Sequence, residues 1–161
     1  MIVLKKASIR INQGIEYVLF TLGFSMAVLV AVQVFFRYVL NQSLFWSEEL
    51  ARYLLVWLTF LGASSAYHRH AHPGVDILYN RMAPTLRKGC AVLIHAVSIG
   101  LFTVMIVYGC QFAHFVRLQR TPALQLPKWL VLSIIPVSGV ILLIHAVSFL
   151  FDTLKRGDHD V

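Results

Sequence analysis

The chain has 161 residues, 58% of them hydrophobic and 13% charged, with a formal net charge of +7, whereas about a quarter of a soluble domain's residues carry charge. Its charges fall in clusters between long apolar runs, which excludes an ordinary soluble domain. The placement of Lys and Arg reads as membrane topology and not as nucleic-acid binding. Uncharged runs cover 20 residues from Tyr17 to Phe36, 15 from Tyr53 to Tyr67, 28 from Gly89 to Val116 and 23 from Trp129 to Phe151. A helix needs roughly 20 residues to cross the hydrocarbon core. The second run reaches that length if its helix begins near Ser47 and carries Glu48, Glu49 and Arg52 at the headgroup level. A soluble bundle would need a polar face on every helix, and these segments are apolar all round.

Residues 1–14 predict a short basic segment lying along the inner headgroups, with Ile2, Val3, Leu4, Ile9 and Ile11 giving it an apolar side. The stretch behind it is too long for a signal-peptide core and has no small-x-small cleavage site, so it reads as an uncleaved first helix. The expected membrane domain spans 15–152, with helices at about 15–38, 47–67, 85–115 and 128–152, followed by a cytoplasmic tail at 153–161. Helix one ends in Arg37-Tyr38, and Asn41-Gln42-Ser43 forms a tight outer turn. Ser47-Glu48-Glu49 then offers a hydroxyl cap and two acids in the first turn of helix two.

After His68-Arg69-His70-Ala71-His72-Pro73-Gly74, the residues Val75, Leu78, Tyr79 and Met82 share one helical face, and Asp76, Asn80 and Arg81 take the other. This predicts a short amphipathic helix on the inner surface. Helix three follows Pro84. An outer loop at 117–128 precedes helix four, where Pro136 removes one backbone bond and predicts a kink. The fold class is therefore all-α, a four-helix membrane protein. Lys5, Lys6, Arg10, Arg69, Arg81, Arg87, Lys88, Lys155 and Arg156 would lie on one side, against Arg37, Arg52, Arg117, Arg120 and Lys128 on the other. Nine against five places both termini in the cytoplasm.

Around helix two, Glu48 and Glu49 stand four and three residues before Arg52, at pairing distance along a helix. Trp46, Glu49, Tyr53 and Trp57 recur on one face. With Arg52 they predict a docking face for a partner membrane protein, because charges placed in a membrane usually face protein. The competing reading is an aromatic belt and a capped helix start that meet headgroups. Gly62-Ala63-Ser64-Ser65-Ala66 permits close helix approach, within this chain or with another.

His68, His70 and His72 alternate, but no cysteine or carboxylate cluster supports them, so no metal and no cofactor is expected. His95 and His145 are lone polar residues within helices three and four, read as helix–helix hydrogen bonds in preference to a proton path. Cys90 and Cys110 lie about 30 Å apart along one helix and cannot pair. There is no mid-membrane acid, duplicated broken helix, phosphate loop or nucleophile–base pair. The chain reads as a subunit, not an enzyme, with no direct substrate contact.

Phe45-Trp46-Ser47-Glu48-Glu49-Leu50-Ala51-Arg52-Tyr53 and Val56-Trp57-Leu58-Thr59-Phe60-Leu61-Gly62-Ala63 closely resemble the small membrane subunit of tripartite ATP-independent periplasmic (TRAP) transporters, the Q-type or DctQ-like component. His72 with Val75-Asp76 matches the next part of that pattern. Thr121-Pro122-Ala123-Leu124, Pro127, Trp129 and Pro136 resemble its approach to helix four. Pro73 departs from the pattern, which usually has an aliphatic residue there. The resemblance covers about residues 12–150.

It implies a bacterial inner-membrane scaffold working with two partners. A periplasmic binding protein captures an organic anion such as a dicarboxylate, keto acid or sialic acid. A large M-type membrane subunit carries it inward with sodium ions by an elevator-like motion. Trp46, Glu48, Glu49, Arg52, Tyr53 and Trp57 would dock the large subunit, and His72 and Asp76 would shape the inner loop. Arg37, Gln42, Arg117, Arg120 and Lys128 would offer an outer surface to the binding protein, with lipid covering the rest. Two rivals come from other classes. A small multidrug exporter needs a glutamate deep in helix one, whereas Glu16 stands at the start of that run. A haem-anchoring subunit would use His95 and His145.

Overall fold

The computed structural model describes residues 2–69 and 84–156. The helices are α1 (Ile2–Tyr38), α2 (Phe45–His68), α3 (Pro84–Phe115), α4 (Lys128–Leu132) and α5 (Ile134–Arg156). The short helix expected at 75–82 lies outside the described residues, as do His70, His72, Asp76 and the end of the tail. α1, α3 and the α4–α5 pair contain stretches long and apolar enough to cross a membrane: Ser8–Tyr38, Val92–Phe115 and Lys128–Phe151. α2 has 24 residues, about 36 Å at 1.5 Å per residue, but it is the most polar of the long helices.

Helix α1 runs without a break through the basic segment, because no proline interrupts residues 2–38. Its 37 residues extend about 55 Å, well beyond a hydrocarbon core of about 30 Å. The expected interruption in the fourth span is present. Pro136 has no N–H to give the carbonyl of Leu132, and α4 ends there while α5 begins at Ile134. Continuity survives through Ser133 N–H to Trp129 O (2.9 Å) and Val137 N–H to Ser133 O (3.1 Å).

The helices form two antiparallel pairs, α1 with α2 and α3 with α5, joined mainly where α5 meets α2 and α1. One apolar cluster gathers Ile15, Leu61 and Ile134 from α1, α2 and α5. The other gathers Phe102, Leu142 and Ala146 from α3 and α5. Helices α3 and α5 approach through glycines. A Cβ on Gly109 would lie 3.0 Å from Pro136 Cδ, and one on Gly139 would lie 3.0 Å from Ile106 Cγ1.

Buried side chains include Ser8, Asn12, Ser47, Glu49, Ser64, Ser65, Thr121, Ser138, His145 and Ser148, while Phe20, Phe24, Leu93, Val97 and Leu101 are exposed. An interior this polar beneath so apolar a surface is the reverse of a soluble domain. It suits a bundle whose small and polar residues pack together while lipid covers the outside.

Candidate docking surface at the loop end of the bundle

One end of the bundle carries the 39–44 turn and the 116–127 loop. The turn closes with Asn41 at φ 49°, a left-handed conformation that asparagine adopts more readily than most residues. Gln42 N–H donates to Phe36 O at 3.0 Å. Helix α2 begins at Phe45, two residues before the expected Ser47. Ser47 is fully buried and is not the cap; its hydroxyl donates to Leu44 O at 2.7 Å.

The loop is a closed structure held by its own backbone. Thr121 N–H donates to Leu126 O (2.9 Å), and Lys128 N–H donates to Gln119 O (3.0 Å). Leu126 N–H donates to the Thr121 hydroxyl oxygen at 3.0 Å. Gln125 takes φ 54° to complete the reversal, and its side-chain amide donates to Pro122 O at 3.1 Å.

The tip of this loop rests on α2 through Glu49, a carboxylate that is only 7% exposed. Oε2 accepts the Ala123 N–H at 2.7 Å, and Oε1 accepts the Tyr53 hydroxyl at 2.5 Å. A buried charge is tolerated when such donors replace its water. Two turns further along α2, Trp57 Nε1–H donates to Val131 O at 3.2 Å, so α2 also holds the start of α4.

The six residues expected to dock a partner thus divide. Glu49, Tyr53 and Trp57 turn inward and serve the chain's own loop and fourth span. Trp46, Glu48 and Arg52 are exposed. The anticipated ion pairing does not form: Arg52 bonds neither Glu48 nor Glu49 among the described residues, and Glu49 takes its donors from Ala123 and Tyr53 instead. Arg37, Gln42, Arg117 and Arg120 are exposed at this same end, and Lys128 is half-buried. Arg117 Nη1 lies 3.1 Å from His114 Nε2, and Lys128 Nζ donates to Gln119 Oε1 at 3.0 Å. The role of Ala123 toward Glu49 was missed. It stood in the 121–124 block, but nothing in its spacing ties it to helix two.

At the opposite end, His145 is fully buried and its Nδ1 lies 2.7 Å from the Ser8 hydroxyl, so α1 and α5 meet in a side-chain hydrogen bond. The His68 ring stacks on His145 with centroids 4.7 Å apart, and His95 lies against Phe149. Glu16 bonds Asn12 at 2.7 Å and pairs with Arg69 at 2.7 Å. Among the described residues, no group of three or more His, Cys, Asp or Glu is placed to hold a metal.

Residues 26–156 match the family described as tripartite ATP-independent periplasmic transporters, DctQ component. The C4-dicarboxylate TRAP transporter small permease protein DctQ of Vibrio cholerae is 32% identical over 53% of this chain and 36% of its own length. The sialic acid TRAP transporter small permease protein SiaQ of the same organism is 27% identical over 81% of this chain and 77% of its own length. The sialic acid TRAP transporter permease protein SiaT of Haemophilus influenzae is 32% identical over 65% of this chain, which is 16% of that protein. The chain spans about half or less of the length of the first curated relatives it matches.

Proposed function

The chain belongs to the DctQ component family of tripartite ATP-independent periplasmic transporters, and from that premise we propose that it is the small scaffold subunit of such a transporter. The observation that carries this reading is the family match over residues 26–156. The structure adds a reason why two blocks of the sequence belong together: Glu49 of the helix-two block holds Ala123 of the loop block. In this reading four helices cross the bacterial inner membrane, with both termini and the 69–84 connection in the cytoplasm. Lipid meets the exposed faces of α1 and α3. The loop end is then periplasmic, and Arg37, Gln42, Arg117, Arg120 and Lys128 form the surface offered to a substrate-binding protein.

The large membrane subunit is the partner that carries substrate, an organic anion, together with sodium. The relatives named for C4-dicarboxylate and for sialic acid support an organic anion as the substrate. The similarity to 16% of SiaT supports a large partner, since there the matching stretch belongs to a much longer permease chain. The small subunit's part is to present a fixed frame, with the loop clamped to α2 and α5 packed on every other described helix.

Deletion of this chain from the native host should abolish uptake of a labelled C4-dicarboxylate or sialic acid, and a plasmid copy should restore it. A tagged copy should also co-purify with a large permease chain. Transport by the purified chain alone in vesicles, or purification free of any large permease, would overturn the reading.

A further inference from the structure

The long helices present different surfaces to their surroundings. On α1, Phe20, Phe24, Val28 and Phe35 are exposed; on α3, Leu93, Val97, Leu101 and Val104 are. Such faces suit lipid tails. Helix α2 packs on α1 and α5 and runs the length of the bundle, from Glu49 beneath the loop to His68 beside His145. Its inward side is occupied by Glu49, Tyr53, Trp57 and Leu61. Along the other side Glu48, Arg52, Leu55 and Thr59 are exposed, and Gly62 continues the line with nothing within 4 Å of where a Cβ would stand.

Leu55 is the one large apolar side chain on that line. The steps between these residues alternate four and three, the spacing of a seam that receives another helix. A side that met lipid alone would gain little from a bare glycine and two charges at its headgroup end, and charged groups on membrane helices usually face protein. Small residues are placed where a second backbone comes close. A second copy of this chain is a poor occupant. Two copies inserted the same way about a two-fold axis would set Arg52 beside Arg52 and Glu48 beside Glu48 at equal depth.

We infer that the line Glu48, Arg52, Leu55, Thr59 and Gly62 seats a transmembrane helix of the large permease chain. That helix bears a hydrogen-bonding or charged side chain for Glu48 and Arg52 near the loop end, and its backbone lies close over Gly62. This rests on the small-subunit reading and names the surface which that reading leaves open. It places the contact on the side of α2 opposite to Glu49 and Trp57, which are already engaged within the chain.

The test is photo-crosslinking of the tagged full-length chain in its native host, with p-benzoylphenylalanine at Leu55, Thr59, Phe24 or Leu101 in turn. Leu55 and Thr59 should each give an adduct whose peptides identify a large permease chain, and Phe24 and Leu101 should give none. Arg52→Glu should lower recovery of the large chain at least about ten-fold while the small chain still inserts. Adducts joining two copies of this chain, adducts from Phe24 or Leu101 alone, or undiminished recovery with Arg52→Glu would overturn the inference and leave the small-subunit reading standing. Failure of the unaltered protein to co-purify with any large chain, with no adduct at any position, would overturn both.

Discussion

The carboxylate of Glu49 lies 2.7 Å from the backbone N–H of Ala123, which is 74 residues away in the chain. Trp57 and Val131 are separated by the same 74 residues and are also bonded. Two turns of α2 therefore run in step with the segment that ends the loop and begins α4, and the loop is fixed at both places.

Glu49→Ala should loosen the loop without unfolding the helices. The Ala123 N–H would lose its acceptor, and a partly shielded donor left unmet is costly. Amide exchange at residues 123–125 in lipid nanodiscs should rise roughly ten-fold or more, and trypsin should cut faster after Arg120. Glu49→Gln should have a smaller effect, since its amide oxygen can still accept the Ala123 N–H. Unchanged exchange in Glu49→Ala would show that the loop's own backbone bonds suffice.

Gly109→Ala and Gly139→Ala should each destabilise the bundle, by about 1–3 kcal/mol where the neighbours cannot move. Each new methyl would meet an atom of the facing helix at 3.0 Å. Gly100→Ala is the control, because nothing lies within 4 Å of its Cβ position, and alanine is the better helix former. Thermal unfolding in detergent should rank Gly100→Ala at or above the unaltered protein and the other two below it.

Ser8→Ala should cost about 1–3 kcal/mol by leaving buried His145 Nδ1 without its partner. The double change Ser8→Ala with His145→Leu should be less destabilised than Ser8→Ala alone, because an apolar pair leaves that bond with no orphan. In the assembled transporter, His145→Leu should leave the apparent affinities for substrate and sodium unchanged. A shift in sodium dependence would give this histidine a role beyond packing.

Topology can be read by labelling single cysteines after Cys90 and Cys110 are replaced. A membrane-impermeant maleimide added to intact cells with a permeable outer membrane should reach Asn41→Cys and Gln119→Cys but not Arg69→Cys. The opposite pattern would invert the chain in the membrane.

The helices were legible because three of the apolar runs are long, the second is extended by a polar start, and charge marks their ends. The third begins at Pro84 against an expected 85, and the fourth breaks just ahead of Pro136. The start of α1 was less legible, because its basic segment is as compatible with a helix continuing out of the membrane as with a separate one. The faces of α2 were the hardest to read. In a soluble protein Glu49 would mark an outer surface and Leu55 an inner one. Here the order is reversed, so polarity could not assign the sides. Spacing grouped Glu49 with Arg52, three residues on, but a distant loop takes the first and leaves the second outside.

The position of α5 also bears on how the protein is made. It packs against α1, α2, α3 and α4 and supplies members of both apolar clusters, yet of all the described helices it is the last to leave the ribosome. Synthesis proceeds from the N-terminus at about 5–20 residues per second, so α1 and α2 can meet as a hairpin, with Ile15 and Leu61 in place, while Ile134 is still to come. Ser8 likewise meets His145 only when 137 further residues have been made. Assembly of this bundle is therefore completed after translation of α5, and a nascent chain stalled before Ile134 holds α1, α2 and α3 without the helix that packs against all of them.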